Sequence, residues 1–203
     1  ASLTAEIMAS TVMRVESVLQ FEIIEALPQE YYGMILVLGI VLGALGAFYN
    51  WFTLKVQSLY RRTKRLSVTQ KLMIPFLCAG VLGFTAPKLL GSVHNLLEYL
   101  TSEDVLLGTV LLIFAGRFLF SAVCFGSGAP GGIFFPLLVL GGYIGGAFAT
   151  VYVQYMGLDM MYINNFVVLA MAGYFAAIVR APLTGIILIF EMTGSLSQML
   201  SLS

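Results

Sequence analysis

Charge is what the 203-residue chain has least of. Lys, Arg, Asp and Glu make up 10% of it and hydrophobic residues 60%, where a soluble domain carries about 25% charge. With a mean hydropathy of +0.97, this excludes an ordinary soluble domain and identifies an integral membrane protein. Ten basic residues balance ten acidic ones, so the basic surface of a nucleic-acid binder is missing and no nucleic-acid partner is expected. His94 is the sole histidine and Cys78 and Cys124 the sole cysteines. A metal site needs a Cys/His cluster, and none exists. Both cysteines sit in apolar runs and are expected as small buried hydrophobes, not as a disulfide. No signal-peptide pattern opens the chain. It begins at Ala1 inside one helical pattern and ends at Ser203 inside another, so it is expected to be part of a longer chain.

What is abundant is apolar sequence in segments near the 20 residues that a helix needs to cross a bilayer. Ser2 to Val18 reads as a helix interrupted by Glu6, Arg14 and Glu16, followed by an acidic connection, Glu22 to Glu30, with Pro28. Tyr31 to about Tyr60 is a long span. Its Gly33, Gly39, Gly43 and Gly46 fall on roughly one face, which predicts helix packing. Lys55 to Lys71 holds six of the ten basic residues and no acid. Such loops stay cytoplasmic, so Ser58–Gln70 is expected inside and Phe21–Glu30 outside; topogenic charge on a solvated loop is the favoured reading over a lipid or anion-funnel role. Leu72 to Thr85, with Pro75 inside, reads as a tilted or incomplete span. His94 and Glu98, four apart, read as a hydrogen-bonded pair near a water interface in preference to a proton relay. Ser102-Glu-Asp104 is a helix start, and the next span, Val105 to Phe125, carries Arg117, which should face protein or water.

The chain is organised around Cys124 to Pro136. The helical pattern reaches Phe125, and then four glycines and a proline fall between Gly126 and Gly132. No regular helix runs through that, yet the pattern resumes at Pro136 and continues to about Tyr155. A helix start at membrane depth presents amides that no earlier turn satisfies and the positive end of the helix dipole. Irregular backbone there survives only inside protein or beside a wet cavity. These features describe an anion site made of backbone; the simpler alternative is that the glycines only permit close packing. Gly132 is expected to need either φ > 0 or a close approach. Beyond it, Gly141, Gly142, Gly145 and Gly146 predict a closely packed neighbour, Asn164-Asn165 a cap for the run Phe166 to Val179, and Arg180-Ala-Pro182 a second break. Arg180 either binds carbonyls near that break or sits at the surface. Leu183 to Glu191 reads as a short helix with Glu191 near the interface.

Gly132-Ile-Phe-Phe-Pro136 fits the G-x-F-x-P signature of the CLC family of chloride channels and chloride/proton antiporters, and Gly126-Ser-Gly-Ala-Pro130 resembles the run that leads into it. Ile178 to Gly185 with Phe190-Glu-Met-Thr193 resembles a second CLC string, and weaker similarity from Ala1 to Phe120 extends the resemblance over nearly the whole chain. It implies an all-α, polytopic membrane domain with broken and partly tilted helices, part of an inverted-repeat architecture. It implies a bound chloride held by the N–H groups of Ile133 and Phe134, with Gly126, Ser127, Gly128, Pro130, Gly131, Gly132 and Pro136 as supporting motif. It also implies transport of chloride or a similar anion with no organic cofactor. The partners are the anion, the lipid bilayer and a second copy of the subunit, whose contact surface lies near Ala1–Met13 and Leu183–Leu200. The expected location is multi-pass, in a plasma or inner membrane.

Several family features are missing from residues 1–203. The first-half serine loop and the G-K/R-E-G-P gating loop do not occur. The antiporters' inner proton glutamate would precede Ala1, and the pore tyrosine would follow Ser203. Channel and antiporter are therefore not separated by this sequence. Gly126-Ser-Gly-Ala-Pro130 superficially matches the serine loop but stands in the second-half position, so its anion contact is not assigned to Ser127. Two other functions compete with anion transport. A membrane-embedded hydrolase using Ser127 would need Gly-x-Ser-Gly, and Phe125 stands where that glycine belongs. A module for dimerisation only is the other. A nucleotide loop would need Gly-Lys-Ser/Thr after its glycines, which is absent.

Overall fold

The computed structural model describes residues 27–28, 31–63, 67–90, 107–129, 131–156 and 159–193. The Ser2–Val18 helix, the Glu22–Glu30 connection apart from Leu27 and Pro28, His94, Glu98, the Ser102–Asp104 start, Pro130 and residues 194–203 lie outside the described residues. Among the described residues six α-helices follow one another: α1 (Tyr32–Arg62), α2 (Val68–Thr85), α3 (Leu107–Gly126), α4 (Phe134–Met156), α5 (Ile163–Val179) and α6 (Pro182–Thr193). Short 3₁₀ turns occupy Pro87–Leu90 and Met160–Tyr162, and the described residues contain no strand. The first four helices, and α5 together with its 3₁₀ turn, are long and apolar enough to cross a membrane. The chain is an all-α, multi-pass membrane protein.

In lipid, apolar side chains gain little by leaving one oily environment for another, so helices associate where backbones can approach and interlock. The core obeys this rule. It sits between α4 and α5, with α1, α3 and α6 packed around them. A Cβ added at Gly141 would lie 2.7 Å from the Ala170 carbonyl oxygen, and one at Gly145 would lie 2.6 Å from that of Phe166. These two glycines let α4 lie directly on the backbone of α5. Around that seam Leu137, Leu138, Leu140, Phe166, Val167, Met171 and Tyr174 are fully enclosed.

Polar links fix the remaining helices to this pair. The Tyr49 and Ser121 hydroxyls share a buried 2.7 Å hydrogen bond between α1 and α3, and bonds of this kind contribute about 0.6–2 kcal/mol in membranes. Asn50 donates from Nδ2 to the Ile178 carbonyl at 3.3 Å, one of the carbonyls that the end of α5 leaves without an internal partner. The chain then turns through Arg180 in the left-handed conformation, φ 59° and ψ 37°. Pro182 opens α6, where its fixed φ suits a first helical position. The second break thus stands where the sequence puts it, and Arg180 is exposed.

Four expectations change. Asn164-Asn165 does not cap α5: the Asp159 carboxylate accepts the Met161 N–H at 3.3 Å, the 3₁₀ turn leads directly into Ile163, and Asn165 is wholly buried inside the helix. Of the four α1 glycines only Gly46 meets a neighbour, the Ala177 side chain. A Cβ at Gly33, Gly39 or Gly43 would meet no described atom, because α1 turns the Leu38–Leu42–Tyr49 face inward and leaves Gly39 and Gly43 on its flank. α1 also runs on to Arg62 and α2 begins at Val68, so much of the Lys55–Lys71 run, expected as a solvated loop, is helix. Cys78 and Cys124, expected to be buried, are both only half-buried.

Candidate functional site: the open start of α4

α3 ends at Gly126 because the chain must turn there. The Ser127 N–H still reaches the Val123 carbonyl at 3.1 Å and the Gly128 N–H that of Phe125 at 3.3 Å. Gly128 then takes φ +79°, the left-handed region that glycine enters without penalty. The Ser127 hydroxyl donates to the Cys124 carbonyl at 2.7 Å and accepts from the Ala129 N–H at 3.3 Å. It closes the turn and is committed to backbone, the opposite of a poised nucleophile.

The glycines of the break divide by role. A Cβ on Gly126 would lie 2.5 Å from a methyl carbon of Val56 and 3.3 Å from the ring of Tyr60, so Gly126 serves close packing of the turn on α1. Gly128 supplies the left-handed turn. Gly131 and Gly132 border open space, and Gly132 has neither the positive φ nor the close neighbour expected of it among the described residues. The packing reading therefore holds for Gly126 and for no other glycine of this break.

α4 restarts at Phe134, and the Ile133 carbonyl accepts the Leu137 N–H at 3.3 Å. Ile133 is thus the residue in the capping position, and its aliphatic side chain can cap nothing. The amides of Ile133, Phe134 and Phe135 have no acceptor among the described residues. Pro136 has no N–H to leave unsatisfied. No acidic residue occupies the first turn, so nothing in the helix neutralises its positive end. The Phe135 amide is a third donor that the signature does not single out; counting back from the Ile133–Leu137 bond reveals it.

The donors sit on a rigid base. The Phe134 ring packs edge-on against Phe175 of α5 at 5.3 Å and against Phe135 at 5.4 Å between centroids. Phe175 is buried, whereas Ile133 is 41% exposed. One side of the helix start is therefore walled by aromatic rings and the other is open. Phe175 carried no sequence signal, since α5 is an unbroken apolar run from Phe166 onward. Arg117 does not belong to this site. Its guanidinium lies over the Tyr143 ring at 5.1 Å; Arg117 and Tyr143 each lie nine residues from the break, about 13 Å along their helices. That pairing also shows that α3 and α4 form an antiparallel hairpin with the break at its tip. The arrangement can offer a small anion hydrogen bonds from main-chain amides.

The model of the voltage gated chloride channel family matches residues 1–203. Among solved structures, the chain is similar to a slow cyanobacterial Cl⁻/H⁺ antiporter, with a TM-score of 0.85 and 28% sequence identity over 98% of this chain. The match takes in 47% of that protein, so the chain spans about half the length of its solved relative.

Proposed function

The chain belongs to the voltage gated chloride channel family, and from that premise we propose that it supplies part of a transmembrane pathway for chloride, with the open start of α4 as an anion site. The observation that carries this reading is the uncapped helix terminus: three successive amides without described acceptors at Ile133, Phe134 and Phe135, no carboxylate in the turn, and an aromatic wall behind. An ion entering there exchanges part of its water shell for N–H groups. These are neutral donors, so the ion is held without the full attraction of a fixed charge and can leave again. Transport is the activity of the family, and it requires no covalent step. Exchange coupled to protons, the activity named for the cyanobacterial relative, is the mode against which channel conduction is to be tested. A second copy of the subunit is the proposed protein partner, and Leu183 and Ile187, one turn apart and exposed on α6, are consistent with a contact there.

The experiment is an ester in place of the Phe134 amide in the full-length protein. It removes one N–H and spares the side chain. Loss of a hydrogen bond to a charged group is worth about 1.5–3 kcal/mol, so chloride affinity measured by calorimetry should fall by roughly 10- to 150-fold. Unchanged affinity in a folded protein would remove Phe134 from the site.

A further inference from the structure

The basic run that begins in the last turns of α1 contains one feature that topogenic charge does not account for. Lys55 lies nearly two turns before the end of the helix, and its ammonium sits 4.0 Å from the centre of the Trp51 ring. Trp51, Lys55, Ser58 and Arg62 are spaced 4, 3 and 4 residues apart, which brings them onto one face, and all four are exposed. Arg61 and Arg62 suit the negative end of the helix dipole; Lys55 stands too far back for that role.

Length fixes where this face lies. Tyr32 and Trp51, both exposed, are nineteen residues apart, about 28 Å at 1.5 Å per residue. That matches the roughly 30 Å hydrocarbon layer, whose two borders favour Tyr and Trp. The eleven residues from Phe52 to Arg62 therefore project about 16 Å beyond it. Lys55, about 6 Å past Trp51, falls at the level of lipid phosphates. The Arg62 side chain, like others in a helix, leans back toward the N-terminal end and hence toward the membrane. No carboxylate occurs between Lys55 and Lys71 to compete for these cations.

We propose that this face of α1 is a binding site for the headgroup of an anionic phospholipid in the adjoining leaflet, its phosphate held by Lys55 and Arg62 and its upper acyl chain against the indole of Trp51. The inference is independent of the anion site of α4.

Trp51 is the only tryptophan of the chain and reports on its own neighbour. The full-length protein, with any tryptophan outside residues 1–203 changed to Phe, is reconstituted in phosphatidylcholine containing a minor fraction of brominated phosphatidylglycerol or the same fraction of brominated phosphatidylcholine. Quenching of Trp51 should report an enrichment of the anionic lipid of about fivefold or more. The double variant Lys55→Gln/Arg62→Gln should lose it and Lys55→Arg should keep it. Equal quenching by the two lipids overturns the proposal. Enrichment that survives in the double variant overturns it too, by assigning the attraction to the connection as a whole, and displacement by inorganic phosphate would replace it with a free-anion site.

Discussion

Two helix starts in this molecule make opposite use of the same position. Before α2, Ser67 accepts the Gln70 N–H at 3.3 Å while the Gln70 side chain accepts the Ser67 N–H at 3.0 Å. This reciprocal cap closes the terminus with the helix's own side chains. Before α4, Ile133 stands in the equivalent place and closes nothing. Serine is favoured there by about 1 kcal/mol over aliphatic residues, so α4 forgoes a stabilisation that α2 takes. The difference lies in what each terminus faces. α2 begins just after Ser67, which is exposed, and α4 begins at the tip of a hairpin whose far wall is the Phe134–Phe175 pair. A terminus left uncapped on a rigid base is available to a ligand.

The sharpest way to break the comparison is to close α4 with a charge. Ile133→Asp places a carboxylate where the anion is proposed to sit. Two negative charges about 4 Å apart repel by about 4 kcal/mol at an effective dielectric near 20. Chloride affinity should therefore fall on the order of a thousandfold, while thermal stability in detergent holds or rises. Chloride binding at the original affinity in this variant would show that the ion is elsewhere.

The next effect tests the base on which the open start rests. Gly145→Ala drives a methyl group to within 2.6 Å of the Phe166 carbonyl oxygen, and overpacking of this kind costs about 1–3 kcal/mol. Gly80→Ala in α2 meets nothing and should gain up to about 1 kcal/mol from helix propensity. Opposite signs in thermal unfolding are expected. Two losses of equal size would mean that the α4–α5 seam is not what distinguishes these glycines.

The same contrast marks how far the sequence could be read. The break at Gly126–Gly132 was legible because glycine and proline act on the backbone of the residue that carries them. The α4 seam was legible as a pattern, but Gly39 and Gly43 show the same spacing and face open space among the described residues; spacing says that a neighbour could come close, not that one does. The start of α5 misled because Asn164-Asn165 offers good capping chemistry while Asp159 reaches the terminus first. Phe175 was invisible, since a phenylalanine in the apolar run from Phe166 to Val179 has no local mark and gains its role only from the helix it meets. The Lys55–Trp51 contact was hidden in a charge run whose count was plain and whose geometry was not.

A smaller effect is expected from opening the closed terminus. Ser67→Ala removes the acceptor for Gln70 and should cost about 1 kcal/mol of stability. Chloride affinity should stay unchanged, because α2 takes no part in the proposed site. A parallel loss of chloride binding would tie the two termini together and undo the contrast between them.

The finest test separates capping from side-chain bulk at a single position. Ile133→Ala and Ile133→Ser both remove the apolar side chain and keep the amide. Alanine leaves the terminus as open as it is now, so affinity should change by no more than a few-fold. Serine can turn its hydroxyl to accept the Phe135 N–H, since Pro136 offers none, and so competes with the anion for one donor. An intramolecular hydrogen bond of this kind contributes about 0.5–1.5 kcal/mol. The serine variant should therefore bind chloride roughly two- to tenfold more weakly than the alanine variant and unfold at a slightly higher temperature. Equal affinities in calorimetry would mean that the Phe135 amide is not among the donors, and the site would contract to Ile133 and Phe134.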